Sequence, residues 1–505
     1  MSTIKIPYLS ILIWLPIIMA ALIPISQKFI KNNNKLAFVL ALSTTIISLA
    51  ISIIMYLKFN NNNYAMQFTE NHIWIAQLGM RYYLGIDGIS LAMIILTNFT
   101  SFLVILATYN MSKDKFSQYL AYFLLMQGIS VGIFATVDAL LFYVFWETLL
   151  IPMYLCIGMW GDYNRNYASV KFFMYSFLGS ALMLVAILYL ALKAQSFAIT
   201  DMYKLNLPFE IQAFIFVALL LAFAVKVPLW PVHTWLPDVH SAAPVGGSVV
   251  LAALMLKMGI YGFFRFILPI VPLAARYFDW CIIILALIAI IYIGLLTIVQ
   301  KDMKRLIAYS SIAHMGFAVL ACFMIYLIIA KNNNVQDAYL SLEGAVVQMI
   351  SHAFSTGGLF LAVGFLSHQG RSREIKDYQG LAHRMPIFSS FVLLFILANL
   401  GLPGTSGFVG EFMIIMSALQ ANIWIALAAA TTLILAATYS LWFYNRVFFG
   451  AVKNERITKL HDINVNYIMI FTMLAIAIIF LGVYPNILIN LLHSSVHHLL
   501  TVSIR

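Results

Sequence analysis

Apolar runs of about 20 residues, each long enough to cross a bilayer as a helix, follow one another along almost the whole chain. No water-soluble fold has the interior to bury so many. They read as helices at roughly 8–27, 35–57, 84–108, 116–136, 138–157, 168–193, 212–242, 246–269, 278–299, 305–329, 342–366, 386–420, 423–448 and 466–490. The chain is therefore expected to be an all-α polytopic membrane protein with about fourteen transmembrane helices. Only 9% of its 505 residues are charged, against about 25% in a soluble domain, so soluble, disulfide-rich and disordered classes are excluded. The net charge of +11 comes from bases scattered without a long run, which does not make a phosphate-binding surface for nucleic acid. Cys156, Cys281 and Cys322 lie far apart in apolar segments without a CxxC spacing. Neither a disulfide framework nor an iron–sulfur or zinc site is indicated, and any redox centre belongs on another chain.

Orientation follows from the bases. Lys28, Lys31 and Lys35 follow the first run instead of preceding it, the reverse of a cleavable signal peptide. Loops after odd-numbered helices carry about twice as many Lys and Arg as the opposite side, among them Lys113, Arg165, Lys301, Arg371, Arg373 and Lys453. By the positive-inside bias those loops face the cytoplasm or matrix, and both termini face outward. Lys226 and Lys257 belong to neither set, because both fall inside spans.

The seventh and twelfth runs are too long for one straight span, and each contains a proline, Pro228 and Pro403. Equivalent positions five spans apart turn the second copy upside down. Inverted repeats with discontinuous helices are a transporter signature, because broken backbone at membrane depth is tolerated only inside protein or along a wet cavity. Proline is common in membrane helices for other reasons, but here long helices, prolines and nearby charges recur together. The repeat is imperfect: the counterpart of Lys257 is Thr432. The expected organisation is 1–110 for helices 1–3, 111–270 for a first repeat (helices 4–8), 271–450 for an inverted second repeat (helices 9–13) and 451–505 for helix 14 and the tail.

A charged side chain at mid-bilayer costs about 2.5–3.5 kcal/mol on insertion scales, and four need explaining: Glu147, Lys226, Lys257 and Glu411. A Glu147–Lys226 contact would hold both charged, and breaking it would leave Lys226 buried alone and ready to release a proton. An ion pair that merely fixes helix register would account for two of the four. His314, flanked by Ser310 and Ser311, falls between the depths expected of Lys257 and Glu411, and histidine both takes and gives a proton near neutral pH. His233, His240 and His352 are further proton-transfer candidates, although each alone reads equally as a helix–helix hydrogen bond. His493, His497 and His498 read as interfacial, not metal-binding. There is no P-loop, Rossmann glycine pattern or Ser/His/Asp arrangement.

At these residues the chain resembles the subunit M family of bacterial NADH:quinone oxidoreductase (respiratory complex I), whose mitochondrial counterpart is subunit 4. The resemblance extends over nearly the whole chain and is weakest before residue 80. Its most telling stretches are Phe145-Trp146-Glu147, the block from Lys226-Val227-Pro228-Leu229-Trp230-Pro231 to Pro237-Asp238, Ala242-Ala243-Pro244-Val245, and Leu402-Pro403-Gly404-Thr405-Ser406-Gly407-Phe408. The resemblance implies Glu147 and Lys226 as the ion pair, Lys257 as the central lysine, and His314 as part of the link to a terminal group in helix 12. That group is lysine in the sister subunits L and N and Glu411 here, as in subunit M. Subunit L also carries a long lateral helix and an extra span, for which this sequence has no counterpart after its fourteenth run. The resemblance further implies proton transfer driven by redox chemistry elsewhere, with NADH, FMN, iron–sulfur clusters and quinone all on partner subunits. The alternative is a subunit of a Mrp-type cation/proton antiporter with no redox partner; a passive membrane scaffold is a third possibility. A bacterial inner membrane is the expected location, a mitochondrial one less so.

Overall fold

In the computed structural model, residues 6–29, 34–109, 115–332, 335–452 and 454–504 are described. Of the bases used to orient the chain, Lys31, Lys113 and Lys453 lie outside these residues, as do Lys5 and Arg505. Among the described residues, thirteen helices are long and apolar enough to cross a membrane. A fourteenth span is built from two shorter helices, Pro386–Asn399 and Ser406–Ala421, separated by a break over 400–405. The seventh span breaks in the same manner. Its first helix, Phe209–Lys226, gives way to irregular backbone after Lys226, and a second helix runs Trp235–Ala242. Both breaks fall where proline removes a backbone donor and clashes with the preceding turn. The freed groups find partners inside the protein, as the indole of Trp235 donates to the Val225 carbonyl at 2.9 Å and Lys304 Nζ to that of Ala243 at 2.9 Å.

Three elements differ from the sequence expectation. The third span begins at Gly88, not at 84, because Asp87 caps the helix by accepting from Ser90 N at 2.9 Å. The residues before it form an antiparallel hairpin, Gln67–Ile75 with Met80–Ile86, whose mixed polar and aromatic pattern shows no helical periodicity. Glu70 of the hairpin accepts from Leu9 N at 2.9 Å and so caps the first helix. The last span ends at Val483, and Pro485 starts a separate helix, Asn486–Ser503; the expected single helix over 466–490 is two. This final helix is amphipathic, with Leu491, Leu492, Val496, Leu499 and Leu500 buried and Asn486, Asn490, His493, His497 and Thr501 exposed.

The eighth span, Val245–Ile270, is buried almost throughout and is wound wider than an α-helix at Leu251–Met255 and Phe263–Ile267. Such π-helical turns interrupt the regular ladder and occur often at functional sites; here they flank Lys257. Gly259 lets this span approach the first half of the seventh. A Cβ there would stand 2.5 Å from Val227 Cγ2 and 2.8 Å from the Phe223 carbonyl oxygen, so only glycine admits this crossing.

Candidate proton-transfer site

Lys257 is fully buried. Its Nζ donates to the Ala252 carbonyl, within the first π-helical turn, and lies 2.7 Å from His352 Nδ1 on the Gln336–Gly370 helix. The His352 ring faces that of His314 at a centroid separation of 5.7 Å. His314, on the Met303–Asn332 helix, lies with Nδ1 3.2 Å from Glu411 Oε1 and Nε2 3.3 Å from the Tyr439 hydroxyl. Gln348 Nε2 is 3.5 Å from both His314 Nδ1 and Glu411 Oε1. Lys257, His352, His314 and Glu411 thus form one row across four helices, all of them nearly inaccessible to solvent.

The local fold explains why Glu411 reaches this row. It sits in the second turn of the helix that restarts after the 400–405 break. Gly410 beside it brings that helix onto the Gln336–Gly370 helix, where a Cβ would stand 2.7 Å from the Gln348 side-chain oxygen. Gly401, in the break, has φ +76° and lies against the carboxylate; a Cβ there would stand 2.5 Å from Glu411 Oε2.

Lys226 is 1% exposed, and its Nζ has no hydrogen-bond partner. It stands 4.8 Å from the centre of the Trp146 ring and 6.0 Å from that of Phe172. A desolvated cation over an indole face gains about 2 kcal/mol. The expected Glu147–Lys226 ion pair is not closed: among the described residues no carboxylate oxygen lies within 4.0 Å of Nζ, and Glu147 Oε1 is itself unpartnered.

The remaining candidates are dispersed. His240 stacks on Phe360 with ring centres 4.4 Å apart, and neither of its ring nitrogens has a partner. Its charged neighbours are Lys304 and Lys257, which places it by the Lys257 end of the row. His233 is nearly buried beside the break, with Nδ1 unpartnered, and touches no other candidate. Lys304, expected in a loop, is 2% exposed and lines a cavity of about 410 Å³ with Asp162, His368 and Arg373 at the base-rich end of the bundle. Sequence reasoning ranked His352 below His314, yet His352 is the direct neighbour of Lys257. It missed Gln348 and Tyr439. The signal for Gln348 was present: it lies four residues before His352 and so shares its helix face.

The family model described as NADH:quinone oxidoreductase/Mrp antiporter, TM, matches residues 136–437, which contain every member of this row. The chain is 41% identical to the NADH-quinone oxidoreductase subunit M of Rhodobacter capsulatus, over 97% of this chain and 96% of that one. It is 40% identical to the NADH-ubiquinone oxidoreductase chain 4 of Marchantia polymorpha, over 90% of each. Its structure superposes on a chain of respiratory complex I from Thermus thermophilus with a TM-score of 0.87 at 28% identity, covering 98% of this chain and 99% of that one. With the broken spans and the buried Lys–His–His–Glu row, this places the chain in the subunit M/chain 4 family, the antiporter-like, proton-translocating membrane subunits of respiratory complex I.

Proposed function

We propose that protons move through this subunit along Lys226, Lys257, His352, His314 and Glu411, with Glu147 controlling Lys226. The observation carrying this reading is the Lys257–His352–His314–Glu411 row, in which each member lies within hydrogen-bond or ring-contact distance of the next at membrane depth. Ionisable groups there are costly and are retained for function. Lys257 gives a proton to His352 Nδ1, the second imidazole takes one from the first, and Glu411 receives it at the far end. His240 lies where a proton could pass from the Lys226 side toward Lys257, and His233 stands beside the break that must move. The cavity lined by Lys304, His368 and Arg373 is the inlet on the base-rich side.

The distribution of Lys and Arg supports placing that side in the cytoplasm and both termini in the periplasm of a bacterial inner membrane. Residues 111–270 and 271–450 serve as the two inverted units, each contributing one broken helix. The redox cofactors NADH, FMN, iron–sulfur clusters and quinone belong to partner subunits, and the flanking membrane partners are the sister subunits L and N. A Mrp-type antiporter is not favoured, because the relatives matched over the full length are complex I subunits. The test is Lys257→Met in the assembled complex, with NADH-driven proton uptake and quinone reduction measured in proteoliposomes. Uptake should be lost, and wild-type uptake at normal complex content would refute the route.

A further inference from the structure

One buried acid in a membrane span plays no part in the row above. Glu343, near the end of the Gln336–Gly370 helix remote from the basic loops, is 5% exposed. Its Oε1 lies 2.8 Å from His493 Nδ1 on the C-terminal amphipathic helix, and that imidazole is 59% exposed. The exposed stripe around His493 is polar throughout, as expected of a face turned to water and not to lipid. A carboxylate sealed inside the protein is thus connected to the surface through a single titratable ring.

The register of two crossing helices sets its distance from the row. Gly410 packs on Gln348, and Met413 and Ile414 pack on Gly344, so the helices run antiparallel with Glu411 near the level of residue 347. Along the helix axis, the level of Glu343 is therefore one helical turn, about 6 Å, beyond that of Glu411 toward that end of the bundle. We propose that Glu343 and His493 form the outward release port of the proton path. This rests on the route and orientation proposed above. A proton arriving at Glu343 from the Glu411 end protonates the carboxylate. The acid donates it to His493 Nδ1, the imidazolium releases the proton on Nε2 to outer water, and exchange of ring tautomers restores the starting state. No oxidant, reductant or other reactant is consumed.

A pair that only anchored the amphipathic helix is the competing explanation. That helix is already held by its buried leucines, by Ser495 Oγ accepting from Gly88 N at 2.9 Å and by Ser494 Oγ donating to the Asn61 carbonyl. An ion pair to an imidazole that is 59% exposed adds little net stability, so anchoring alone does not account for the buried carboxylate. Other titratable groups also lie against this helix: Tyr56 lines a cavity with Leu488 and Leu491, and Arg276 and Tyr326 line another with Ser503. Tyr339 faces His493 and His497 at ring separations of 5.9 and 5.1 Å, Tyr64 stacks on His498 at 4.5 Å, and Asp87 is bonded to Arg265.

The test uses the complete complex in proteoliposomes at low buffer capacity, comparing wild type, Glu343→Gln, His493→Ala, His493→Arg and Lys257→Met. Arginine keeps the pair with Glu343 but does not release its proton near neutral pH. The expected result is that His493→Ala, His493→Arg and Glu343→Gln all lose most NADH-driven proton uptake at normal complex content. Wild-type uptake by His493→Arg would show the pair to be an anchor and overturn the proposal, as would wild-type uptake by His493→Ala. Wild-type uptake by Lys257→Met instead strikes at the route itself, so the two failures are distinguishable.

Discussion

Two glycines in the second helix break offer a matched test of how tightly Glu411 must be held. Gly401 and Gly404 have φ of +76° and +90°, so alanine at either carries a similar left-handed backbone penalty of about 1–2 kcal/mol. Their surroundings differ. A Cβ on Gly404 meets nothing within 4 Å, whereas a Cβ on Gly401 stands 2.5 Å from Glu411 Oε2. Ordinary contact between such atoms needs about 3.4 Å, so the carboxylate must retreat by about 0.9 Å in Gly401→Ala. Because it terminates a flexible side chain, that retreat adds little to the stability loss. It does disturb the 3.2 Å contact of Glu411 Oε1 with His314, since a displacement of this size takes the pair out of hydrogen-bond geometry, toward overlap or separation. Both variants should therefore lose similar thermal stability as purified complex, whereas only Gly401→Ala should lose most NADH-driven proton uptake, because a misplacement near 1 Å can cost about a hundredfold in a positioned reaction. Equal uptake in the two variants would show that Glu411 is not held in a working position and would refute the reasoning.

Glu147→Gln should lower quinone reduction and proton uptake together, with normal complex content, because the carboxylate no longer pulls on Lys226; activity above about half of wild type would count against Glu147 as the controlling partner. Glu411→Gln and Glu411→Ala should lose most uptake in the same assay. Glu411→Lys should keep a part of it, reduced because a two-unit change of charge a few ångströms from another charge is worth several kcal/mol even at an effective dielectric near 20. Asp87→Asn should destabilise the subunit by about 3–5 kcal/mol by leaving Arg265 buried without its partner, seen as loss of assembled complex; unchanged content would refute that. Burial alone would raise the Asp87 pKa, but the Arg265 guanidinium and the hydrogen bonds from Ser90 bring it below its ordinary value. The pair should therefore hold at every pH above the unfolded carboxylate range near 4 and weaken only as pH falls through the lower folded value, which acid titration of complex stability would check.

Hydropathy made most of the fold legible because the bilayer admits so few solutions: each backbone donor must be satisfied within its own helix, so length and apolarity fix the spans. The two proline breaks were legible for the same reason, since proline forbids what the bilayer otherwise demands. The hairpin over 67–86 was not, because outside the membrane no such constraint applies. The break at Pro485 was missed because the apolar run continues past it, and only the turn of the polar stripe toward water separates the last helix from the span.

The sequence by itself determined which side chains are out of place in a membrane. Glu147, Lys226, Lys257, His314 and Glu411 stand out because desolvating a charge is costly wherever it falls within a span, a property of the residue and its depth. Which of them meet was decided by tertiary structure. Lys257 bonds to His352 because two helices distant in sequence cross at that height, and Glu411 reaches His314 because Gly410 and Gly401 let backbone and carboxylate into space a side chain would fill. Glu147 and Lys226 stand apart because a broken helix directs Nζ onto the Trp146 ring. Depth is written one residue at a time, but proximity depends on crossing angles and helix rotation. Those are fixed by packing among many side chains at once, and no single stretch of sequence carries them.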